Sequence, residues 1–418
     1  MSSSIAPKNP FVYGRVLTAT DAACARPELE ARVKQTVQDD ARLALVGDRR
    51  MGKSSLVQRT LERAGVPMLR LNYHEVLDIS DVIMRTVTDL ERFLRDRSPV
   101  SRRLAPWFRE VGVELRELRA KFAGFEIKAS VGLQADHLKR VFGYIRDTAE
   151  RSPLALFIDE LQDIRDRLPE AIGNAALAII RDETQQMSRC PVFFAGSARD
   201  SFTLLFTSDA SPFYQHAALV SVDPLDSNRL RDFIAEQFQG GHKIEPAAVA
   251  LIMSVAGDNP NDVQLLCYET WVEHLTVAKP ATAHTVRQAM NKVLMDLTPY
   301  GEKWLSDLTS KQQRLVFTVA FLEHVGAATS EFLEFSGTRN PGDIERALKT
   351  TTRGKEALLE KRGSKYRFRS RFARLWFAFR SYRVQALIPA TRQPGAYEHY
   401  LKHVLPGLPA GLLGDASP

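Results

Sequence analysis

The chain has 418 residues, of which 44% are hydrophobic and 26% charged, and its formal net charge at pH 7 is +7. A chain of this length and apolar content can bury more than one core, so we expect a globular protein of two or three domains. No apolar run is long enough to cross a bilayer and the first residues do not resemble a secretory signal, so we expect a cytoplasmic protein without membrane contact. The three cysteines, Cys24, Cys190 and Cys267, lie far apart, which argues against disulfides and zinc sites.

A glycine-bounded loop lies between the first predicted strand and a predicted helix. Residues 42–47 read RLALVG, a short apolar strand, and an amphipathic helix that ends near Gly65 follows the loop. From Gly47 to Ser54 the loop matches GxxxxGK followed by Ser or Thr. Glycines allow backbone N–H groups to surround phosphate oxygens, and the N-terminus of the following helix adds partial positive charge. The pattern therefore predicts a site for the phosphates of a nucleotide.

The positions of this loop have expected roles. We expect Lys53 to contact the β- and γ-phosphates and the Ser54 hydroxyl to ligate Mg²⁺, which makes ATP or ADP with Mg²⁺ the expected cofactors. Ser55 is a second hydroxyl, but the spacing favours Ser54 as the metal ligand. The predicted phosphate-loop residues are Gly47, Asp48, Arg49, Arg50, Met51, Gly52, Lys53, Ser54 and Ser55.

A helical insert is predicted at about residues 75–152, after the strand VPMLRLNY, and it is longer than an ordinary crossover. Residues 79–96 and 135–152 have apolar residues at helical spacing. Between these helices, GFEIKASVGL at 124–133 alternates and predicts a pair of strands. The apolar positions of the first helix fall on one face, which is usually core: Val82, Ile83, Val87, Leu90 and Phe93.

The second half of a phosphate site is expected at the end of the strand LALFIDE, residues 154–160. A strand of a parallel sheet covered on both faces is continuously apolar, and its carboxyl end faces the ligand crevice. We expect Asp159 to hold Mg²⁺, usually through water, and Glu160 to orient and deprotonate the attacking water. Strands often end in carboxylates, but the position of this strand after the phosphate loop favours the catalytic interpretation.

A third apolar strand, PVFFAGS at 191–197, ends in a serine. At this strand end, the side chain of Ser197 is placed to contact the γ-phosphate or the attacking water as a sensor, and a helix N-cap is the alternative role. The predicted catalytic residues are therefore Lys53, Asp159, Glu160 and Ser197.

These motifs resemble the archaeal-type ATPases, which are close to the STAND and AAA+ branches of the P-loop NTPases. The resemblance covers most of the chain, and GDRRMGKSSL is fairly specific because the family carries GxRRxGKTSL. The other matching segments are FVYGRVL at 11–17, the FIDE and FFAGS strands, DPL at 223–225, the GDNP turn at 257–260 and a basic C-terminal segment.

The resemblance implies an α/β P-loop NTPase fold, AAA+/STAND-like, with a parallel sheet and helices on both faces. It also implies a domain order: an ATPase core at 1–225, a helical lid at 226–298, a winged-helix domain at 299–385 and a tail at 386–418. The opening segment of the family lies near the adenine, and the lid turn also faces the nucleotide. Residues implied at the nucleotide are therefore Val12, Tyr13, Arg15 and Pro260, although a surface salt bridge explains Arg15 equally well.

Two departures from the family pattern affect the expected activity. The opening motif lacks its glutamate after Arg15, and the lid turn carries no arginine where AAA+ proteins often place a second sensor. We therefore expect ATP hydrolysis to be slow or stimulated by a partner. In a homo-oligomer a neighbouring subunit could supply an arginine finger, and the candidates near the third strand are Arg181, Arg189 and Arg199. The sequence does not choose among them, and a solvated surface position is the commoner role of such an arginine.

The C-terminal third has the pattern of three helices followed by a hairpin. Thr309 and Gln312 form a capping box before the helix LVFTVAFLE, and SEFLEFSG and NPGDIERALK predict two shorter helices. EALLEKRGSKYRFR predicts a hairpin that turns at Gly363. This order is typical of a winged helix. The following apolar positions, which predict a core-facing helix stripe, are Phe372, Leu375, Trp376 and Phe379.

Positive charge is concentrated in this region. From residue 349 to residue 383 the chain has twelve lysines and arginines and two acidic residues. Such a concentration on a helix-hairpin module predicts DNA binding, here through Lys365, Arg367 and Arg369. Winged helices also bind proteins. In the alternative interpretation, these arginines do not bind DNA but are solvated on the wing or pair with the acidic ATPase domain.

Three functions fit this sequence. The first is an ATP-driven, DNA-associated machine or loader in which nucleotide state controls DNA or partner engagement. The second is a STAND-like signalling switch, in which the winged helix serves autoinhibition or oligomerisation. The third, a small-molecule kinase, fits least well because Glu160 is expected to activate water.

Overall fold

The computed structural model describes residues 8–95, 127–197, 199–238, 242–275, 280–323, 325–352 and 357–383. These residues form two compact units. We call Gly14–Pro224 the sheet unit, and we call the residues up to Tyr13 together with those from Leu225 onward the helical unit. Within the described ranges, no helix combines the length and the apolarity that a membrane span requires.

The sheet unit contains five parallel strands in the order β2-β3-β4-β1-β5. The prediction of an α/β parallel sheet with helices on both faces is confirmed. Its elements are α1 Pro27–Gln38, β1 Arg42–Val46, α2 Lys53–Arg63, β2 Met68–Asn72, α3 Ile79–Arg95, α4 Ile127–Arg151, β3 Ala155–Asp159, α5 Gln162–Arg167, α6 Glu170–Gln186, β4 Val192–Gly196, α7 Arg199–Thr207 and β5 Ala218–Ser221.

Alternate residues of the inner strands enter separate cores on the two faces of the sheet. Phe157 and Phe193 pack with α1 and α2 on one face, whereas Ile158 and Phe194 pack with the other helices on the opposite face. Successive side chains of a strand point to opposite faces, so a strand covered on both sides must be apolar throughout. The runs in β3 and β4, which are buried at every position, follow from this requirement.

The insert is helical where the structure describes it. The apolar stripe predicted for α3 faces the core, with Phe93 partly buried and the other four positions buried. The prediction of a strand pair at 124–133 is wrong, because residues 127–133 form the first turns of α4. Apolar alternation over so few residues fits either structure, and continuity with the amphipathic segment that follows favours the helix. Residues 124–126 lie outside the described part.

The helical unit contains eight helices and one hairpin in its described part. The helix α11 runs without interruption across residue 298, where the lid is predicted to end, and the predicted tail at 386–418 lies outside the described residues. The elements are α8 Ser227–Gln237, α9 Pro246–Ala256, α10 Pro260–Leu275, α11 Ala283–Ser306, α12 Ser310–Leu322, α13 Ser330–Ser336, α14 Pro341–Leu348, β6 Leu359–Arg362, β7 Lys365–Phe368 and α15 Arg371–Arg383.

The helices and the hairpin predicted after residue 309 are present. Thr309 and Gln312 form the capping box that starts α12, which satisfies backbone N–H groups that a helix leaves without partners. The strands β6 and β7 are antiparallel, and Gly363 in their turn has φ 60°. Tyr366 and Phe368 are buried, so the alternation along β7 separates a core face from an exposed basic face.

Candidate functional site

The loop Gly47–Ser54 connects β1 to α2 at the carboxyl end of the sheet. Gly47 cannot carry a side chain without a shift in its surroundings, because a Cβ there would lie 2.7 Å from the carbonyl oxygen of Val222. Gly52, directly before α2, has φ 85°, a backbone conformation that is costly for other residues. Both glycines of the motif are therefore required by the local geometry.

The ammonium group of Lys53 lies inside the loop. Its Nζ donates to the carbonyl oxygen of Gly47 at 2.7 Å and to that of Asp48 at 3.0 Å. The residue is buried, with 6% of its surface exposed. The sheet and α2 therefore hold one positive charge at the centre of the predicted phosphate site.

A hydroxyl and a carboxylate meet beside this lysine. Ser54 Oγ donates to Asp159 Oδ2 at 3.1 Å, which brings α2 and the end of β3 together as the sequence predicts. Arg70 of β2 also reaches this point, with its Nη2 2.6 Å from Asp159 Oδ2 and 3.4 Å from Ser54 Oγ. The sequence-based prediction does not include Arg70.

Glu160 is held by the end of the neighbouring strand. Its Oε2 accepts hydrogen bonds from Ser197 N at 3.1 Å, Ser197 Oγ at 2.9 Å and Gln162 Nε2 at 2.6 Å. Burial raises the pKa of Glu160, but these hydrogen bonds outweigh burial and the net pKa lies below its usual value. Glu160 therefore stays ionised at neutral pH. It also has φ 56°, an uncommon conformation that marks functional sites more often than ordinary strand ends.

The remaining loop positions make contacts to the protein. Ser55 Oγ accepts a hydrogen bond from Leu17 N at 3.1 Å, so the two adjacent serines face different partners. Arg49 is exposed, and its Nη2 lies 2.7 Å from His74 Nε2. Arg50 is exposed and has φ 65°. Met51 is buried, which fixes the loop to the core of the sheet unit.

The residues implied at the adenine divide between the two units. Val12 N donates to Gln264 Oε1 at 3.0 Å within the helical unit. Tyr13 packs edge-on against Tyr268 at 5.1 Å, and Pro260 is the first residue of α10. Arg15 belongs to the sheet unit, where Asp21 binds its two terminal nitrogens at 2.7 and 2.8 Å. That bidentate pair favours the salt-bridge interpretation of Arg15.

The candidate finger arginines lie in different settings. Arg181 pairs with Asp182 at 2.9 Å, and Arg189 is exposed just before β4 begins. The phosphate loop lies at the carboxyl ends of these parallel strands. Arg189 lies at their amino ends, on the opposite side of the sheet unit from the loop. The side chain of Arg199 lies outside the described part of the chain.

Two residues at the candidate site, Arg70 and Gln162, belong to none of the sequence motifs. Arg70 is the lone charge in the otherwise apolar segment VPMLRL, and a charge inside a short strand is the signal that marks it. Gln162 follows Glu160 by two residues and starts α5, but nothing in its local pattern distinguishes it. Both roles depend on the spatial arrangement of strand ends.

The predicted DNA-contacting residues lie on the hairpin. Lys365, Arg367 and Arg369 are exposed. Other basic residues of the region have structural partners. Arg371 donates to the carbonyl oxygens of Val255 and Ser254, and Arg374 pairs with Glu323 at 2.9 Å. The charge excess read from the sequence is therefore partly used inside the unit.

The chain is similar to one protein family and to several solved structures. Residues 31–266 match the family model of an ATPase domain found predominantly in Archaea. A Walker-type ATPase of Pyrococcus abyssi has a TM-score of 0.54 and 16% identity, covering 85% of this chain and 95% of that one. The Aeropyrum pernix ORC1 protein in complex with DNA gives 0.47 and 13%, covering 87% and 95%. The Thermotoga maritima RuvB Holliday junction branch migration motor gives 0.42 and 13%, covering 82% and 92%. No curated protein sequence matches the chain.

The match to the family model shows to which family the chain belongs. It spans more than half of the chain and includes the phosphate loop, Asp159, Glu160 and Ser197. The likeness to the Pyrococcus ATPase adds the fold, which is that of a P-loop NTPase. This chain therefore belongs to the family of ATPase domains found predominantly in Archaea and is an ATP-binding ATPase.

Proposed function

We propose that this ATPase hydrolyses ATP with Mg²⁺ at the Gly47–Ser54 loop, and that its nucleotide state controls how the basic hairpin module engages DNA. The observation that carries the first part is the convergence of Lys53, Ser54 and Asp159 at the carboxyl end of the sheet. A buried cation inside a glycine loop, next to a hydroxyl and a carboxylate, is the arrangement that binds a metal-chelated triphosphate.

The donor set suits a magnesium ion. The oxygens of Ser54 and Asp159 are hard donors, the kind that Mg²⁺ prefers. No cluster of three or more metal-binding side chains occurs in the described residues, and Mg²⁺ at nucleotide sites takes its other ligands from phosphates and water. When bound, the ion would neutralise charge on the phosphates during transfer.

The protein's own groups perform the remaining steps. Lys53 exchanges two loop carbonyls for phosphate oxygens, and loop N–H groups hold the β-phosphate. Glu160 accepts a hydrogen bond from the attacking water, which it orients and deprotonates. The three donors on Glu160 Oε2 stabilise its ionised form and lower its pKa, which makes it a weaker base. We therefore expect slow hydrolysis that a partner can accelerate.

Two substitutions test this part of the proposal. Lys53→Ala removes the cation from the loop and should lower ATP affinity by at least about a hundredfold. Glu160→Gln keeps the size of the side chain but cannot accept the proton, so nucleotide binding should persist while the turnover rate falls by about a hundredfold or more. Isothermal titration measures affinity, and phosphate release measures turnover. Unchanged turnover in Glu160→Gln would remove that residue from the role of base.

The second part of the proposal concerns residues 299–385. The order α12, α13, α14 and then the hairpin β6-β7 supports a winged-helix domain, preceded by a helical lid at 226–298. The exposed residues Lys365, Arg367 and Arg369 form a basic edge on this hairpin. A compact row of positive charge can bind the phosphates of DNA, and such binding does not depend on the base sequence.

Charge reversal on the hairpin tests DNA engagement. The double variant Arg367→Glu and Arg369→Glu should lose most DNA affinity and reduce the slope of log affinity against log salt by about 2. A matched control reverses two exposed basic residues elsewhere in the helical unit, Lys303→Glu and Arg339→Glu, and should lose less. If wild type retains ADP tightly and binds no DNA, the STAND-like switch replaces the loader.

A further inference from the structure

Arg70 lies on the oxygens assigned to the metal. Its Nη2 lies 2.6 Å from Asp159 Oδ2 and 3.4 Å from Ser54 Oγ. The same Oδ2 accepts the hydrogen bond from Ser54 at 3.1 Å. Thus one carboxylate oxygen accepts from a guanidinium and a hydroxyl at once.

The fold brings Arg70 to this position from the edge of the sheet. In the register of β2 with β3, Arg70 pairs with Phe157, two residues before Asp159. The guanidinium carbon lies 5.8 Å from the centre of the Phe157 ring. The aromatic face supports the cation, and the side chain is extended toward the end of β3. Its contact with Asp159 is therefore set by the strand register.

Arg70 and Asp159 form a close ion pair, but one N–H group of the Arg70 guanidinium has no partner among the described residues. The side chain of Asp159 is 9% exposed and that of Arg70 is 32% exposed. Arg70 Nε is buried and has no hydrogen-bond partner among the described residues. A guanidinium has five N–H donors, and leaving a buried donor unpaired costs free energy. Arg70 thus has solvent access and an unsatisfied donor, so withdrawal to water is physically accessible to it.

We infer that Arg70 competes with Mg²⁺ for Asp159 and thereby sets the magnesium dependence of nucleotide binding. The inference rests on the proposed function, because it takes Ser54 and Asp159 as the metal ligands. Two cations held by one carboxylate, whether directly or through a single water molecule, repel each other. Magnesium binding therefore requires the guanidinium to leave, whereas without magnesium Arg70 shields the phosphates from the negative charge of Asp159.

The magnesium enhancement of ADP binding tests this inference. It is the ratio of the ADP dissociation constant in excess EDTA to that in saturating Mg²⁺, measured by isothermal titration. In Arg70→Met, ADP affinity in EDTA should fall because nothing shields the phosphates from Asp159. ADP affinity in Mg²⁺ should stay the same or rise. The enhancement should rise at least about tenfold over wild type.

The controls separate this role from general effects of charge and folding. Arg92→Met removes another arginine of the sheet unit, which is 69% exposed and pairs with Asp89, and should leave the enhancement unchanged. Arg70→Gln keeps a polar side chain and should behave as Arg70→Met does, which covers failure of the methionine variant to fold. Circular dichroism checks folding of each variant.

The outcomes distinguish the two claims. If wild type binds ADP but neither Arg70 variant raises the enhancement, Arg70 does not compete with magnesium. A fall in the enhancement would instead show that Arg70 positions Asp159 for the metal, which also overturns the inference. If wild type binds no ADP in either condition, the proposed nucleotide site itself is wrong.

Discussion

At the scale of single residues, the charged groups around the phosphate loop already have partners within the protein. Lys53 donates to two loop carbonyl oxygens. Arg70 donates to Asp159, and Ser197 donates to Glu160. A buried charge without a partner is costly, so a nucleotide bound at the proposed site must replace these contacts. The affinity is therefore a difference between two sets of interactions, and substitutions at partner residues should change it.

The steric role of Gly47 gives a prediction at this scale. In Gly47→Ala the new Cβ would lie 2.7 Å from the carbonyl oxygen of Val222, so the loop or β5 must shift. We expect nucleotide affinity to fall at least about tenfold and stability to drop by about 1–3 kcal/mol. Isothermal titration and urea denaturation measure the two effects.

A glycine in α4 provides the control. A Cβ at Gly143 would lie 3.9 Å from the end of the Arg146 side chain, which is an ordinary van der Waals contact. Gly143→Ala should leave nucleotide affinity unchanged and stabilise the helix by up to about 1 kcal/mol. Equal nucleotide affinity in both alanine variants would show that close approach at Gly47 is not what shapes the loop.

At the scale of elements, the position of a strand in the sheet decides whether the middle of that strand tolerates a charge. The strands β3 and β4 have neighbours on both sides and are buried at every position. The strand β2 lies at the edge, and its residues alternate between buried and partly exposed before the exposed Asn72. Arg70 occupies a partly exposed position, from which a long side chain can reach both solvent and Asp159.

A partly buried histidine beside β4 gives a prediction for pH dependence. The His216 ring packs against Phe194 and Phe213, and its Nε2 lies 3.0 Å from Thr184 Oγ1. Burial, with the positive charge of Arg42 next in importance, lowers the pKa of His216 from 6.5 to about 4. Folded protein therefore keeps this histidine neutral where the unfolded chain takes up a proton.

The sign of the effect follows from this difference. Stability from neutral His216 is fully present above pH 6.5 and is lost as the pH falls from 6.5 toward about 4. His216→Gln should reduce this loss by about 1–2 kcal/mol after solvent screening is allowed for. Urea denaturation at pH 7 and pH 5 measures it, with the exposed His284→Gln as control. Parallel loss in wild type and His216→Gln would contradict the prediction.

At the scale of the whole molecule, the start of the chain belongs to the helical unit and not to the sheet unit that follows it. Phe11 is 1% exposed, and its ring lies 5.5 Å from Phe238 and 6.2 Å from Phe233. Asn9 donates to the carbonyl oxygen of Tyr268 at 3.1 Å. Residues 8–13 therefore complete a core formed by segments more than two hundred positions later.

Removal of this anchor should destabilise the helical unit. Phe11→Ala leaves a cavity among Phe233, Phe238 and Trp271, and we expect a loss of about 3–5 kcal/mol. Tyr13→Ala is the matched control, because Tyr13 is 40% exposed and should cost less. Thermal unfolding followed by calorimetry compares them. Equal melting temperatures for Phe11→Ala and wild type would mean that the opening segment does not complete this core.

Features that depend on residues close together in the chain could be predicted from the sequence. The strand-loop-helix around Gly47, the apolar strand that ends in Asp159, and the capping box at Thr309 are local patterns, and each is present. Local hydrogen bonding and strand or helix period set such elements, so one segment is sufficient to predict them. The site could be predicted as far as its motif residues, Lys53, Ser54, Asp159, Glu160 and Ser197.

Contacts between residues far apart in the chain are visible in the folded protein and not in the sequence. The tertiary structure placed Arg70 on Asp159, Gln162 on Glu160 and Phe11 in the helical unit. It also resolved residues 127–133 as helix, where short apolar alternation permits either structure. The physical reason is that these contacts follow from strand order and register, and burial against remote segments contributes free energy that no local pattern contains.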